Sequence, residues 1–179
     1  MDDCEEARLV FEARRGSRES FERLLNRYER PIFNAAYRIL NDYEDARDVT
    51  QNVFLKAFEN LGHFNSKYRF FSWIYRIAVN ESINQYKKRS RPEPAEEKKP
   101  TERNTPETLL RATELSRDVQ VALMSIGFEY RVVIVLRHFN DCSYRDISKI
   151  LEIPEKTVKS RLFTGRSLLK EVLSKRGIL

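Results

Sequence analysis

Two cysteines, Cys4 and Cys142, are too few among 179 residues for a disulfide scaffold or a zinc site. The two histidines, His63 and His138, are far apart in sequence. No Asp/Glu/His cluster has metal-ligand spacing, so no metal, no cofactor and no catalytic residue is expected. Glycine is scarce at 5 residues, and no Asn-Gly or Asp-Gly pair marks a β-hairpin. A Gly-rich phosphate loop is missing as well. No apolar run approaches the roughly 20 residues that cross a membrane, so no membrane insertion is expected. The acidic start Met1-Asp2-Asp3-Cys4-Glu5-Glu6 is unlike a signal peptide. These absences leave a soluble, helical, globular chain suited to a reducing cytoplasm.

Charge is present and unevenly placed. The net charge is +6. Residues 1–60 carry 10 basic and 13 acidic groups, whereas residues 61–91 carry 7 and 1, and residues 113–179 carry 12 and 8. Two basic zones can grip a polyanion at two places, and the acidic zone ahead of them is open to a basic protein partner.

The strongest motif runs from Ser143 to Lys170. Ser143 is a good N-cap, with Asp146 three residues on, and Ile147, Ile150 and Leu151 follow at helical spacing. Glu152-Ile153-Pro154 breaks the pattern. Pro154 suits the entry to a second helix. Apolar spacing resumes at Val158, Leu162, Leu168, Leu169 and Val172. The short turn and the basic second helix spell a helix-turn-helix. Its turn calls for a left-handed backbone at Glu152, which costs a non-glycine residue about 1 kcal/mol. Lys159, Ser160, Arg161 and Phe163 are expected to face outward, with Lys156 and Arg166 adding charge. Arg can read guanine bidentately, and Lys and Ser can hold phosphates.

Along the rest of the chain, residues 5–28 read as helical with a break at Gly16-Ser17. Pro31 either kinks this segment or starts the next, whose inner face is Ile32, Ala35, Ala36, Ile39 and Leu40. Asp42 is a plausible N-cap for a helix over 44–60. That helix has an apolar side at Ala46, Val49, Val53, Ala57 and Phe58, and a polar side at Glu44, Asp45, Asp48, Gln51 and Asn52. The polar side suits either the helix dipole or a docking partner. Residues 62–69 mix aromatic and basic groups before a helix over 70–88 that ends Lys87-Lys88-Arg89, a combination suited to single-stranded nucleic acid. Residues 90–112 hold four of the six prolines and read as a flexible linker. The β-branched run Arg131–Arg137 imitates a strand. It is expected to be helical, because a lone strand would lack a partner. The expected fold is all-α: two small helical domains, 1–89 and 113–179, joined by the linker 90–112.

Taken together these segments resemble the extracytoplasmic-function (ECF) sigma factors, initiation subunits of bacterial RNA polymerase. Asp45–Phe58 is similar to the family's polymerase-docking segment, and Phe71–Asn80 to the segment that engages the melted −10 element. Tyr130–Phe139 and Tyr144–Arg161 resemble the domain that reads the −35 element. The resemblance implies core RNA polymerase and promoter DNA as partners, and a possible anti-sigma factor. It implies polymerase contacts at Asp45, Asp48, Gln51 and Phe54. It also implies that the loop from Phe64 to Tyr68, Lys67 included, contacts an unstacked non-template base, with Asn80 and Lys87 facing the strand or the adjacent duplex. Two other classes compete. A conventional helix-turn-helix repressor would need a ligand or dimerisation domain in residues 1–90 and would bind duplex DNA tightly alone. A nuclease would need a metal or acid–base cluster, which the sequence does not offer.

Overall fold

The computed structural model describes residues 3–89 and 114–178. Among the described residues there are helices and no strands. Helix α1 spans Asp3–Arg14, α2 Arg18–Leu40, α3 Tyr43–Asn60 and α4 Phe70–Arg89, with a 3-10 turn at Leu61–His63. Helix α5 spans Glu114–Met124, α6 Phe128–His138, α7 Tyr144–Leu151 and α8 Glu155–Lys175. The linker expected over residues 90–112 lies outside the described residues.

The local signals explain most boundaries. Gly16, at φ +95, supplies the left-handed bend between α1 and α2. The Ser17 hydroxyl then caps α2 by accepting from the Ser20 N–H. Helix α2 runs through Pro31 without ending there. Tyr28, Ile32, Ala35 and Ala36 on either side of it are all buried, and that packing holds the helix where the proline withholds a donor. Asn41 ends α2 in the left-handed conformation, and Asp42 starts α3 by accepting from the Asp45 N–H. Arg131–Arg137 lies within α6, as the argument from the missing strand partner requires. Val132 through Leu136 are all buried, because α6 is enclosed on several sides.

Helices α1–α4 form one group around α2, and α5–α8 form a second around α6 and α8. The two groups pack directly on each other, α4 along α7 and α2 against α5 and α6. Their buried apolar side chains form one continuous cluster. At the junction Arg131, 4% exposed, spends its guanidinium on four carbonyls. It donates to Leu123 at 2.9 Å, Met124 at 3.2 Å and Ile126 at 3.3 Å in its own group, and to Ile39 at 2.7 Å in the other. No carboxylate is among these partners, so carbonyl dipoles carry the cation.

Candidate nucleic-acid and partner interfaces

The helix-turn-helix is built as its sequence suggests. Ser143 and Asp146 form a reciprocal capping box at the start of α7. Glu152 adopts φ 53 and ψ 40, the strained left-handed state the turn needs. Part of the offset comes from Ser148, whose hydroxyl donates to the Ile153 carbonyl at 2.6 Å and pins the turn from inside. Pro154 then leads into α8. Val158, Leu162 and Gly165 bury one side of α8. Helical spacing gathers Lys156, Lys159, Ser160, Phe163, Arg166 and Lys170 on the other side, all exposed. Phe163 is 78% exposed at the centre of this stripe. A bare phenyl ring between cations calls for a partner of opposite charge with apolar edges, and the major groove, with its thymine methyl groups, is one.

Arg161 departs from the expectation. At 3.6 residues per turn it lies roughly 160° around α8 from Phe163, so it cannot share that stripe. It is directed at α6, where its guanidinium pairs with the Glu129 carboxylate at 2.8 Å, and its side chain is 30% exposed. It therefore holds α8 against α6 and does not face outward with Lys159. At the edge of the stripe, Arg166 Nε donates to His138 Nε2 at 3.2 Å.

The expected docking surface on α3 divides in two. Asp48 and Gln51 are exposed. Asp45 turns inward, where Arg89 Nε lies 2.7 Å away and Gln85 Nε2 donates to it at 2.6 Å. The carboxylate ties α3 to the end of α4 and is not available as a surface group. Phe54 is buried in the core and likewise withdraws from the surface. Leu55 and Phe58, expected at no interface, are 61% and 64% exposed and extend the ridge begun by Asp48 and Gln51. The placing of Phe58 on the buried side of α3 is thus corrected. Its ring meets Phe21 edge-on, at 5.3 Å, on the outside of the bundle. The signal for Leu55 was present in the sequence, four residues after Gln51 and seven after Asp48.

In the aromatic-basic loop, Phe64, expected at a base, is buried in the core. It is 5% exposed and packs on Trp73 at 5.2 Å and Phe70 at 5.7 Å. Lys67 and Tyr68 remain exposed on a turn made by Asn65, whose side chain accepts from the Lys67 N–H and whose carbonyl accepts from the Tyr68 N–H. On α4, Asn80 is exposed at the mouth of a cleft of about 350 Å³. Trp73, His63 and the Lys56–Glu81 ion pair, 2.6 Å long, form its walls. Lys87 and Lys88 project from the last turn of α4, where cations suit the helix dipole. Arg89 folds back onto Asp42 and Asp45.

A basic stripe on one helical group, and a second basic surface on the other, fit the class of proteins that bind a polyanion such as DNA. Family models give the particular class. Residues 24–92 match sigma-70 region 2, and residues 116–169 match sigma-70 region 4. The RNA polymerase sigma-H factor of Pseudomonas aeruginosa is 30% identical, over 94% of this chain and 94% of that protein. The ECF RNA polymerase sigma factor SigW of Bacillus subtilis is also 30% identical, over 92% and 94%. Among solved structures, CnrH in complex with the cytosolic domain of CnrY superposes at a TM-score of 0.77 with 25% identity, covering 96% of this chain and 98% of that one. The fold is shared as well by the sigma factor RpoE in complex with the anti-sigma factor NepR from Bartonella quintana, at a TM-score of 0.70 and 22% identity over 87% of this chain. The chain belongs to the ECF family of RNA polymerase sigma factors, alternative factors that direct transcription initiation. No described helix is long and apolar enough to cross a membrane.

Proposed function

We propose that the chain divides at residues 90–112 into a polymerase-docking, strand-holding half and an upstream-element-reading half. Both serve promoter-specific initiation by core RNA polymerase in the cytoplasm, and the chain has no catalytic activity of its own. The observation that carries the reading is the exposed stripe of α8. Lys159, Ser160 and Phe163 enter the major groove of the −35 element, with Lys156 and Arg166 on the flanking phosphates. Asp48 and Gln51 dock on core polymerase, with Leu55 and Phe58 supplying the apolar contact. Lys67 and Tyr68 hold an unstacked base of the −10 element, while Asn80 and Lys87 track the strand or the adjacent duplex. Two of the solved relatives were captured with CnrY and with NepR, and a similar anti-sigma partner suits this chain.

Three pairs of variants test the assignment. Asp48→Arg with Gln51→Ala lowers co-purification with core enzyme and leaves the helical fold intact; unchanged co-purification would remove α3 from the interface. Lys67→Ala with Tyr68→Ala impairs transcription from duplex promoter far more than from a premelted bubble; equal impairment would make the loop a general binding element. Lys159→Ala with Phe163→Ala abolishes dependence on the upstream element, and retained dependence would contradict the role of α8.

A further inference from the structure

Helix α1 carries a face that the packing of the chain does not use. At 3.6 residues per turn, Cys4, Ala7, Arg8, Phe11, Arg14 and Arg15 fall within an arc of roughly 120°, and no carboxylate falls inside it. All of them are exposed. Leu9, Val10 and Ala13 lie on the opposite side and are buried. The helix has sorted its charges. Its carboxylates are engaged by α2: Glu6 accepts from the Tyr28 hydroxyl, Glu5 pairs with Arg23 at 2.5 Å, and Glu12 accepts from the Ser20 hydroxyl at 2.6 Å. The arginines are left outside. Arg8 also reaches Glu12 at 3.2 Å, but that pair is open to solvent and screened, so Arg8 can exchange partners.

Phe11 stands in the middle of this face, 59% exposed. One bare ring is ordinary on a protein surface. Its surroundings are not. The Arg15 guanidinium lies 5.5 Å from the ring centre and makes no ion pair among the described residues. On the other flank, Arg14 donates to the Gly62 carbonyl at 3.1 Å and so fastens α1 to the 3-10 turn. That turn runs straight into the loop that exposes Lys67 and Tyr68. The arginine-aromatic face of α1 therefore adjoins the loop assigned to the −10 element. It also lies ahead of residues 24–92, the segment matched to sigma-70 region 2. A ring among cations, without a carboxylate, is what a single strand takes: a base stacks on the ring, and the cations neutralise the phosphates. An acidic protein segment would satisfy the arginines alone, and continuity with the loop favours the strand.

We propose that this face of α1 carries the single strand onward from the loop. Phe11 stacks on a base beyond the one held at Lys67 and Tyr68, and Arg8 and Arg15 neutralise the neighbouring phosphates. Arg14 is a positioning residue that keeps the face in line with the loop. The proposal rests on the reading of that loop as a strand-holding surface.

The test uses holoenzyme assembled from core RNA polymerase and the full chain. It is titrated with a fluorescein-labelled promoter fragment that carries a premelted bubble, and with the same fragment whose non-template strand is cut back to the −10 element. Phe11→Ala weakens binding to the intact bubble about fivefold or more, and Phe11→Trp, which keeps a stacking ring, restores it. On the cut-back fragment Phe11→Ala is silent. Arg8→Ala with Arg15→Ala lowers the slope of log affinity against log salt by about 1.4, as for two single-strand phosphates. These variants co-purify with core enzyme as the wild type does. Equal loss on both fragments, no rescue by Phe11→Trp, or an unchanged salt slope would overturn the proposal. Loss of co-purification would overturn it too, by giving the face to a protein partner. Lys67→Ala with Tyr68→Ala is measured alongside. If it weakens binding to the bubble while Phe11→Ala does not, only the role of α1 falls. If neither weakens it, the strand-holding loop falls as well.

Discussion

Arg161 and Glu129 offer a quantitative choice between two roles for one guanidinium. If Arg161 held α8 in place through Glu129, its loss and the loss of Glu129 would be equivalent. The pair is 2.8 Å long with side chains 30% and 50% exposed, so solvent screens it and its coupling is at most about 1 kcal/mol. That is at most roughly fivefold in promoter affinity. A guanidinium reading a base would be worth about 1–3 kcal/mol at a single promoter position. The assay is a double-mutant cycle of Arg161→Ala, Glu129→Ala and both together. It is read by holoenzyme affinity for promoters varied at each position of the upstream element. The structure predicts equal, small losses for the two single variants, spread evenly over all positions, and no further loss in the double variant. A loss of tenfold or more confined to one position in Arg161→Ala, with Glu129→Ala silent, would refute the positioning role and return Arg161 to the readout surface.

Other consequences follow from the packing and the buried groups. Arg131→Met removes four bonds to carbonyls, partly offset by relief of a buried cation, and should cost about 2–4 kcal/mol in urea unfolding; a loss below about 0.5 kcal/mol would contradict the assigned bonds. Gly165→Ala places a methyl group 3.0 Å from Ile134 Cδ1 and 3.2 Å from Tyr130 Cβ, while gaining about 1 kcal/mol of helix propensity. Thermal stability should change by less than about 1 kcal/mol and upstream-element recognition should weaken, with Ile134→Val restoring it; a loss above about 3 kcal/mol would mean that α6 cannot yield. Burial and the facing guanidiniums of Arg166 and Arg137 hold the His138 imidazole below its ordinary range. The unfolded chain therefore takes up this proton first, and the contribution of His138 to stability, complete above about pH 6.5, is lost as pH falls below it. A magnetic-resonance titration midpoint at or above the free value would contradict this. Burial pushes the Cys142 thiol up to about 12, so a thiol reagent at pH 8 should modify Cys4 alone until the chain unfolds.

Local chemistry made much of the fold legible in advance. Ser143, Asp146 and Pro154 carry the helix-turn-helix in their own residue types, and Asp42 and Gly16 mark helix ends in the same way; Glu152 takes its left-handed turn position against its residue type. The helical state of Arg131–Arg137 needed a wider argument, because β-branched residues alone point to a strand. Exposure was harder to read. Phe54 and Phe64 are buried in the core whereas Phe58 is exposed, and helical spacing alone misplaced Phe58 because α3 packs from two sides. Arg161 shows a different limit. It follows Lys159 and Ser160 in sequence, but the helical turn carries it to the opposite face, where Glu129 waits on another helix. The joint between the halves left no sequence signal, since Arg131, Asn140, Gln120 and Glu152 are all ordinary surface types. Their partners lie between 65 and 92 residues away for the hydrogen-bonded members of that joint.

The most direct test of the central claim is transcription from a library of promoter-sized fragments with core RNA polymerase, in the presence and absence of the full chain. The account predicts that transcripts appear only with the chain. They should start at a fixed distance from two recurring sequence elements and disappear both with Asp48→Arg/Gln51→Ala and with Lys159→Ala/Phe163→Ala. No chain-dependent transcript, together with tight binding of duplex DNA by the chain alone, would contradict it.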